Sequence, residues 1–378
     1  MSVEGAVAPG FERVKEAFEE SLGSDAVEVA QCCVHVQGEP VVDLWSGRAD
    51  AIEVVFSATK GATASCANLL VQRGLLELDA PVAQYWPEYA ANGKESTLVR
   101  WVLSHRAGVL APSAGLSRDD VADWDTVVSA LAAATPAWEP GTAYGYHAQS
   151  FGWLVGELVR RVDGRSLGTF FREEVAEPAG ADFWIGLPEE QEHRVAAVGM
   201  EATPPPGPDT PDMGDFDMSA FIGPHQETAF TLGGALPMDS VEAAADRQYR
   251  AAEFGAAGGV ANGRGLSSLY RWLLDAFTAD TITEILRAET DGPDVVLSSP
   301  AMEISQVFGR GFEVAPPAGA PPSARTFGHG GAGGTPAFAD PDRRLALGYA
   351  TTRLVLGPPG SDARAAALVS AVYAALDA

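Results

Sequence analysis

Val54-Val55-Phe56-Ser57-Ala58-Thr59-Lys60-Gly61 is the stretch on which the reading of this chain turns. An apolar run leads into it. A helical pattern leaves it, with Ala62, Cys66, Leu69 and Leu70 on one face and Gly74 as the stop. Ser57 and Lys60 form the only Ser-x-x-Lys in the sequence, which holds just three lysines, Lys15, Lys60 and Lys94. At a helix start this spacing puts the lysine one turn behind the serine on the same face. A serine hydroxyl is a weak nucleophile until a base takes its proton. A buried lysine can be that base, because desolvation disfavours the ammonium.

Alone, such a tetrapeptide also reads as an N-cap serine followed by a solvated first-turn side chain. Two other segments add to it. Tyr144-Gly145-Tyr146-His147-Ala148 follows Pro140-Gly141 and precedes a helical run. Phe327-Gly328-His329-Gly330-Gly331-Ala332-Gly333-Gly334 lies between two strand-like stretches near the C-terminus. Either tyrosine of the first segment can pair with the lysine, and each alone also reads as a core tyrosine.

The chain has 378 residues, 46% of them hydrophobic, which suffices for a substantial core. Its net charge is -26, and no Lys/Arg cluster stands out, which argues against nucleic acid as a partner. No apolar run approaches a membrane span, and Met1 to Lys15 carries neither a basic start nor an apolar signal core. The expectation is a cytoplasmic protein without membrane contact. Cys32, Cys33 and Cys66 are too few for a disulfide framework and read as buried small hydrophobes. His35, His193 and His225 lack metal-ligand spacing, so neither metal nor cofactor is expected. His105 reads as a structural histidine ending a helix, and Trp138 and Phe338 as pocket walls or core.

Periodicity predicts an opening helix over 9–22, strands over 27–36 and 40–45 around a turn at Gln37-Gly38-Glu39, and a short helix over 98–103. Further helices follow: one within 111–135, one ending at Asp163-Gly164, and one emerging from the Gly-rich stretch at Gly258. Thr203 to Pro208 is a stiff Pro-rich loop. Residues 306–315, 325–330, 335–340 and 345–353 read as strands, and 362–376 as a closing helix. Strands at both ends and helices between them predict an α/β (α+β) protein. The two ends meet in one antiparallel sheet, the first and last helices cover one face, and a mostly helical region covers the other.

The order of these motifs resembles the penicillin-recognising serine enzymes, and within them the class C β-lactamase-like superfamily. Phe56-Ser57-Ala58-Thr59-Lys60-Gly61, Leu103-Ser104-His105-Arg106-Ala107-Gly108, Tyr146-His147-Ala148 and His329-Gly330-Gly331 look most like the esterase branch, the family VIII carboxylesterases. The resemblance implies a β-lactamase/transpeptidase-like fold. It would be a single catalytic unit over 1–378, with a sheet subdomain from about 1–60 plus 300–378 and a helical subdomain over 61–299. It implies Ser57 as acylated nucleophile, Lys60 as its base and Tyr146, rather than Tyr144, as proton shuttle. The backbone N–H groups of Ser57 and Ala332 would form the oxyanion hole. His329, Gly330, Gly331, His147 and Ala148 would line the substrate site.

Two positions depart from the lactamase and peptidase pattern. Ala148 stands where those enzymes carry Asn, and His329 where they carry Lys. A histidine is only partly charged near neutrality. Both changes favour a neutral ester over a β-lactam or cell-wall peptide. The Trp45–Phe56 interval is also short for the esterase branch. A tyrosine beside a lysine ammonium is expected to have a lowered pKa. The expected activity is carboxylic ester hydrolysis through an acyl-enzyme on Ser57, with a small-molecule ester or acyl donor as partner. An acyltransferase would use the same residues; a β-lactamase, a D-amino peptidase or a non-catalytic binding protein fits less well.

Overall fold

The computed structural model describes residues 2–22, 29–200, 222–355, 357 and 360–378. The Pro-rich loop and the start of the predicted 27–36 strand lie outside the described residues. In chain order come β1 (Val3–Val7), α1 (Glu12–Ser21), β2 (Ala30–Val36), β3 (Glu39–Ser46), β4 (Glu53–Val54), α2 (Thr59–Gln72), α3 (Val99–Leu103), α4 (Trp124–Ala132) and α5 (Ser150–Asp163). Short strands β5 (Phe183–Trp184), β6 (Gly199–Met200) and β7 (Val260–Ala261) follow, then the helix Gly263–Ala276. The chain closes with β8 (Phe327–Gly328), β9 (Ala337–Asp340), β10 (Leu345–Thr351), β11 (Arg353–Leu354) and the helix Ala363–Leu376.

The two ends meet in a six-stranded sheet of order β1-β3-β2-β10-β9-β8, antiparallel at every step. The β2–β3 hairpin turns through Gln37 and Gly38, both at positive φ, the two-residue turn whose twist matches that of the strands. On one face, α1 and the C-terminal helix bury Val14, Phe18, Leu368 and Val372 against Cys32, Val34, Leu347 and Tyr349. Phe338 belongs to this cluster and is core rather than pocket wall. On the other face lies the helix Gly263–Ala276. A Cβ on Gly348 of β10 would stand 2.5 Å from the Gly263 carbonyl oxygen, so only glycine lets helix and strand approach this closely.

Three local readings change. β1 escapes prediction because it is an edge strand with exposed Glu4, Gly5 and Ala6, so its sequence has no buried alternation. Residues 306–315 do not form a continuous strand. They fold back through Gly309–Gly311, with single bridges pairing Phe308 to Glu313 and Glu313 to Gly328. That turn sets Glu313 beside β8. Finally, α2 is buried around its whole circumference from Thr59 to Leu70, not amphipathic. Its small residues make this possible: a Cβ on Gly61 would lie 2.1 Å from the Tyr270 hydroxyl.

Candidate active site

Ser57 occupies the single 3₁₀ turn Phe56–Ala58 that joins β4 to α2. Phe56 enters this turn at φ 45°, a left-handed conformation rarely adopted by a bulky residue. The surroundings hold it there. Val55 donates to the Gly259 carbonyl at 2.9 Å, and the Thr59 hydroxyl donates to the Phe56 carbonyl at 2.5 Å. Gly259 N–H in turn donates to Thr59 Oγ1 at 2.9 Å. The serine is thereby presented, partly exposed, at the head of a buried helix.

One turn on, Lys60 is fully buried. Its Nζ lies 2.8 Å from the Ala148 carbonyl oxygen, 3.0 Å from that of Ala256 and 3.3 Å from Ser57 Oγ. Burial lowers its pKa well below 10.5, against an opposing pull from the charge of Glu313. A neutral amine has two N–H groups and one lone pair. With the amine neutral, its two N–H groups can serve the two carbonyls and leave the lone pair toward the serine hydroxyl.

Tyr146 is the tyrosine brought to this pair. Its ring centroid is 4.7 Å from Lys60 Nζ, and its hydroxyl is in hydrogen-bonding contact with Ser57. Tyr144 is held elsewhere: its hydroxyl donates to Gly292 O at 2.7 Å and accepts from Gln306 N–H at 3.0 Å. The protonation expected for Tyr146 is reversed. Burial pushes its pKa up rather than down, because desolvation disfavours a phenolate just as it disfavours the Lys60 ammonium. Burial thus favours the uncharged form of both groups.

The remaining sequence candidates divide. Ala148 contributes its carbonyl to Lys60 and is itself buried. His147 is fully buried; its N–H donates to His105 Nδ1 at 3.1 Å, and its Nδ1 lies 2.7 Å from Gly145 O. It therefore supports the backbone around Tyr146 instead of offering a surface to substrate. His105, just past the end of α3 and also fully buried, is structural, as expected. His329 is only 2% exposed, and burial holds its pKa below 6.5, so it is neutral rather than partly charged. Its Nδ1 lies 2.8 Å from Gly330 O. Gly331 also has a packing role. A Cβ there would meet the Val55 carbonyl oxygen at 2.3 Å, so this glycine lets the 329–335 loop close onto the turn carrying Ser57. At Gly330 a Cβ would make only ordinary van der Waals contacts, its nearest neighbours 3.8 Å away. Ala332 follows on this loop, partly exposed.

Three contributors were not anticipated. Ala256 supplies a backbone carbonyl, which no side-chain motif can announce. Its signal was the surrounding glycine run, where a Cβ on Gly255 or Gly259 would strike the Thr63 or Thr59 hydroxyl oxygen at 2.8 and 2.5 Å. Asp294, fully buried, accepts N–H bonds from Tyr146 at 3.0 Å, Val296 at 2.8 Å and Leu297 at 2.9 Å, and so pins the Tyr146 backbone. Glu313 accepts the Gly330 N–H at 3.1 Å. Among the described residues, no three His, Cys, Asp or Glu side chains gather as a metal site, and no helix is long and apolar enough to cross a membrane.

The β-lactamase family model matches residues 14–371. The protein named esterase/beta-lactamase LipL from Mycobacterium tuberculosis (strain ATCC 25618 / H37Rv) is 32% identical over 377 residues, covering 93% of this chain and 83% of its own. A crystal structure of a family VIII carboxylesterase superposes with a TM-score of 0.86 at 34% identity, covering 99% of this chain and 100% of that one. EstA from Arthrobacter nitroguajacolicus Rue61a superposes with a TM-score of 0.84 at 33% identity, covering 100% and 99%.

Proposed function

The chain belongs to the β-lactamase family, and from that premise we propose that it is a serine carboxylesterase working through an acyl-enzyme on Ser57. One observation carries the reading: Lys60 Nζ lies 2.8 and 3.0 Å from the Ala148 and Ala256 carbonyls and 3.3 Å from Ser57 Oγ, so a neutral amine that gives its two N–H groups to the carbonyls keeps its lone pair for the serine. As Oγ attacks an ester carbonyl, its proton passes to Nζ. The carbonyl oxygen gains negative charge, for which the N–H groups of Ser57 and Ala332 are the proposed donors. The leaving alkoxide takes a proton through Tyr146, in contact with Ser57. Water then attacks the acyl-enzyme by the reverse relay, releasing the acid and restoring the serine.

The neutral amine is central. An ammonium at Lys60 has no lone pair for the serine proton, and burial is what keeps it from forming. Neutral His329 and the absence of a side-chain amide at Ala148 support a neutral ester over a β-lactam, because neither supplies a cation or an amide clamp to substrate. The test is intact-mass labelling with a fluorophosphonate beside turnover of p-nitrophenyl esters and a chromogenic cephalosporin. One label on Ser57, loss of ester turnover in Ser57→Ala, and ester turnover well above cephalosporin turnover are expected. A label elsewhere, or full turnover in Ser57→Ala, would sink the assignment. Cephalosporin hydrolysis on a par with ester turnover would make the chain a lactamase instead.

A further inference from the structure

Glu313 is a site-facing carboxylate for which the relay above has no use. The backbone of Glu313 bridges Gly328 at the end of β8, with Glu313 N–H donating to Gly328 O at 2.8 Å and Gly328 N–H to Glu313 O at 3.0 Å. This fixes where its side chain emerges. Oε2 accepts the Gly330 N–H at 3.1 Å, and Oε1 lies 3.6 Å from His329 Nδ1. That His329 nitrogen is already 2.8 Å from the Gly330 carbonyl oxygen, and burial keeps the imidazole neutral, so it does not cancel the carboxylate. Among the described residues Glu313 forms no ion pair with Arg or Lys, although its side chain is 31% exposed. Its charge also reaches the proposed relay, raising the pKa of Lys60 and of Tyr146.

A fixed, partly exposed negative charge therefore stands beside the loop that closes over Ser57, with no cation bound to it. Resting on the esterase reading above, we infer that Glu313 is a specificity-determining residue that disfavours acyl groups bearing a carboxylate and favours those bearing a quaternary ammonium. The chain's net charge of -26 adds a weak, salt-screened field of the same sign. Two unit charges several ångströms apart in a partly desolvated site interact strongly enough to change a rate by about tenfold or more.

The experiment uses three p-nitrophenyl esters of matched length on the full chain. These are the 5,5-dimethylhexanoate (neutral), the 4-trimethylammoniobutyrate (cationic, of the same shape) and the hydrogen glutarate (anionic). Glu313→Gln keeps the size and an oxygen for Gly330 N–H but removes the charge. The expected result is a rise of about tenfold in the anionic-to-neutral kcat/KM ratio and a comparable fall in the cationic-to-neutral ratio. In the unmodified protein both preferences should shrink with added salt. Ratios unchanged in Glu313→Gln would overturn the inference. So would loss of neutral-ester turnover in both Glu313→Gln and Glu313→Ala while each stays folded by circular dichroism, because Glu313 would then serve the reaction and not the choice of substrate. Neutral-ester turnover surviving in Ser57→Ala would instead strike the esterase reading and is read separately from the Glu313 ratios.

Discussion

Lys60 and Lys94 are two of the three lysines in the chain, both are fully buried, and their surroundings are almost copies. Lys60 Nζ is bonded to the Ala148 and Ala256 carbonyls and lies 4.7 Å from the Tyr146 ring centroid. Lys94 Nζ is bonded to the Ala91 and Ala134 carbonyls and lies 5.3 Å from that of Tyr89. Burial lowers the pKa of each. One thing separates them. At Lys60 a partly exposed serine hydroxyl stands where the lone pair points; at Lys94, among the described residues, the hydrogen bonds end with the two carbonyls. A buried lysine with a lowered pKa is therefore not in itself a base for catalysis. The third direction around the nitrogen decides.

The strongest way to break this comparison is to remove each amine. Lys60→Met should lower ester kcat/KM by roughly 10³- to 10⁶-fold, and the Ser57→Ala, Lys60→Met double variant should be little worse than either single one, as for groups acting as a unit. Lys94→Met should leave kcat within a few-fold. It should cost stability, about 1–3 kcal/mol, because the buried Ala134 carbonyl loses its donor. Steady-state kinetics beside urea unfolding separates the two. If Lys94→Met abolished turnover in a folded protein, the distinction drawn from the third direction would be wrong.

The tyrosines repeat the contrast two residues apart. Tyr146→Phe removes the hydroxyl that touches Ser57 and should lower kcat by about 10²- to 10⁴-fold, the usual range for a lost proton carrier. Its melting temperature should barely move, since the ring packing and the Asp294 bond to the backbone both survive. Tyr144→Phe removes the bonds to Gly292 and Gln306 and should cost about 1–3 kcal/mol of stability with kcat within a few-fold. The reverse pattern would move the proton carrier to Tyr144.

Ser57 and Lys60 were legible in the sequence because their relation is local: one helical turn fixes it, whatever the rest of the chain does. The sheet was legible from the apolar strands at both ends, whose pairing β2 to β10 buries both. What stayed hidden acts through space or through the backbone. Ala256 offers only a carbonyl. Asp294 reaches Tyr146 across 148 residues of sequence. Glu313 depends on a fold-back through Gly309–Gly311 that the residue pattern disguises as a strand. Protonation was hidden too, because it follows burial. The sequence leads one to expect a tyrosine beside a lysine ammonium, but it does not say that burial disfavours both the ammonium and the phenolate.

Protonation supplies the smallest effect and the finest test. In the proposed relay, turnover requires the neutral Lys60 amine. Its folded pKa is lowered, so activity is present above that pKa and is lost as the pH falls through it, giving an acid limb to kcat/KM. Three buried histidines near Tyr146 are the rival cause of such a limb. Each is held neutral by burial, His105 and His329 below 6.5 and His147 down to about 4. Near neutrality none of them has a proton to lose. His147→Gln keeps a polar side chain of similar reach and should change kcat by only a few-fold, leaving the midpoint of the acid limb in place. Tyr146→Phe should likewise keep that midpoint while lowering the plateau, because a phenol whose pKa is pushed up stays protonated across the whole range. A midpoint that moved with His147→Gln and not with the charge of Glu313 would assign the limb to the histidine cluster. Lys60, with its two carbonyls, would then be no more than a second Lys94.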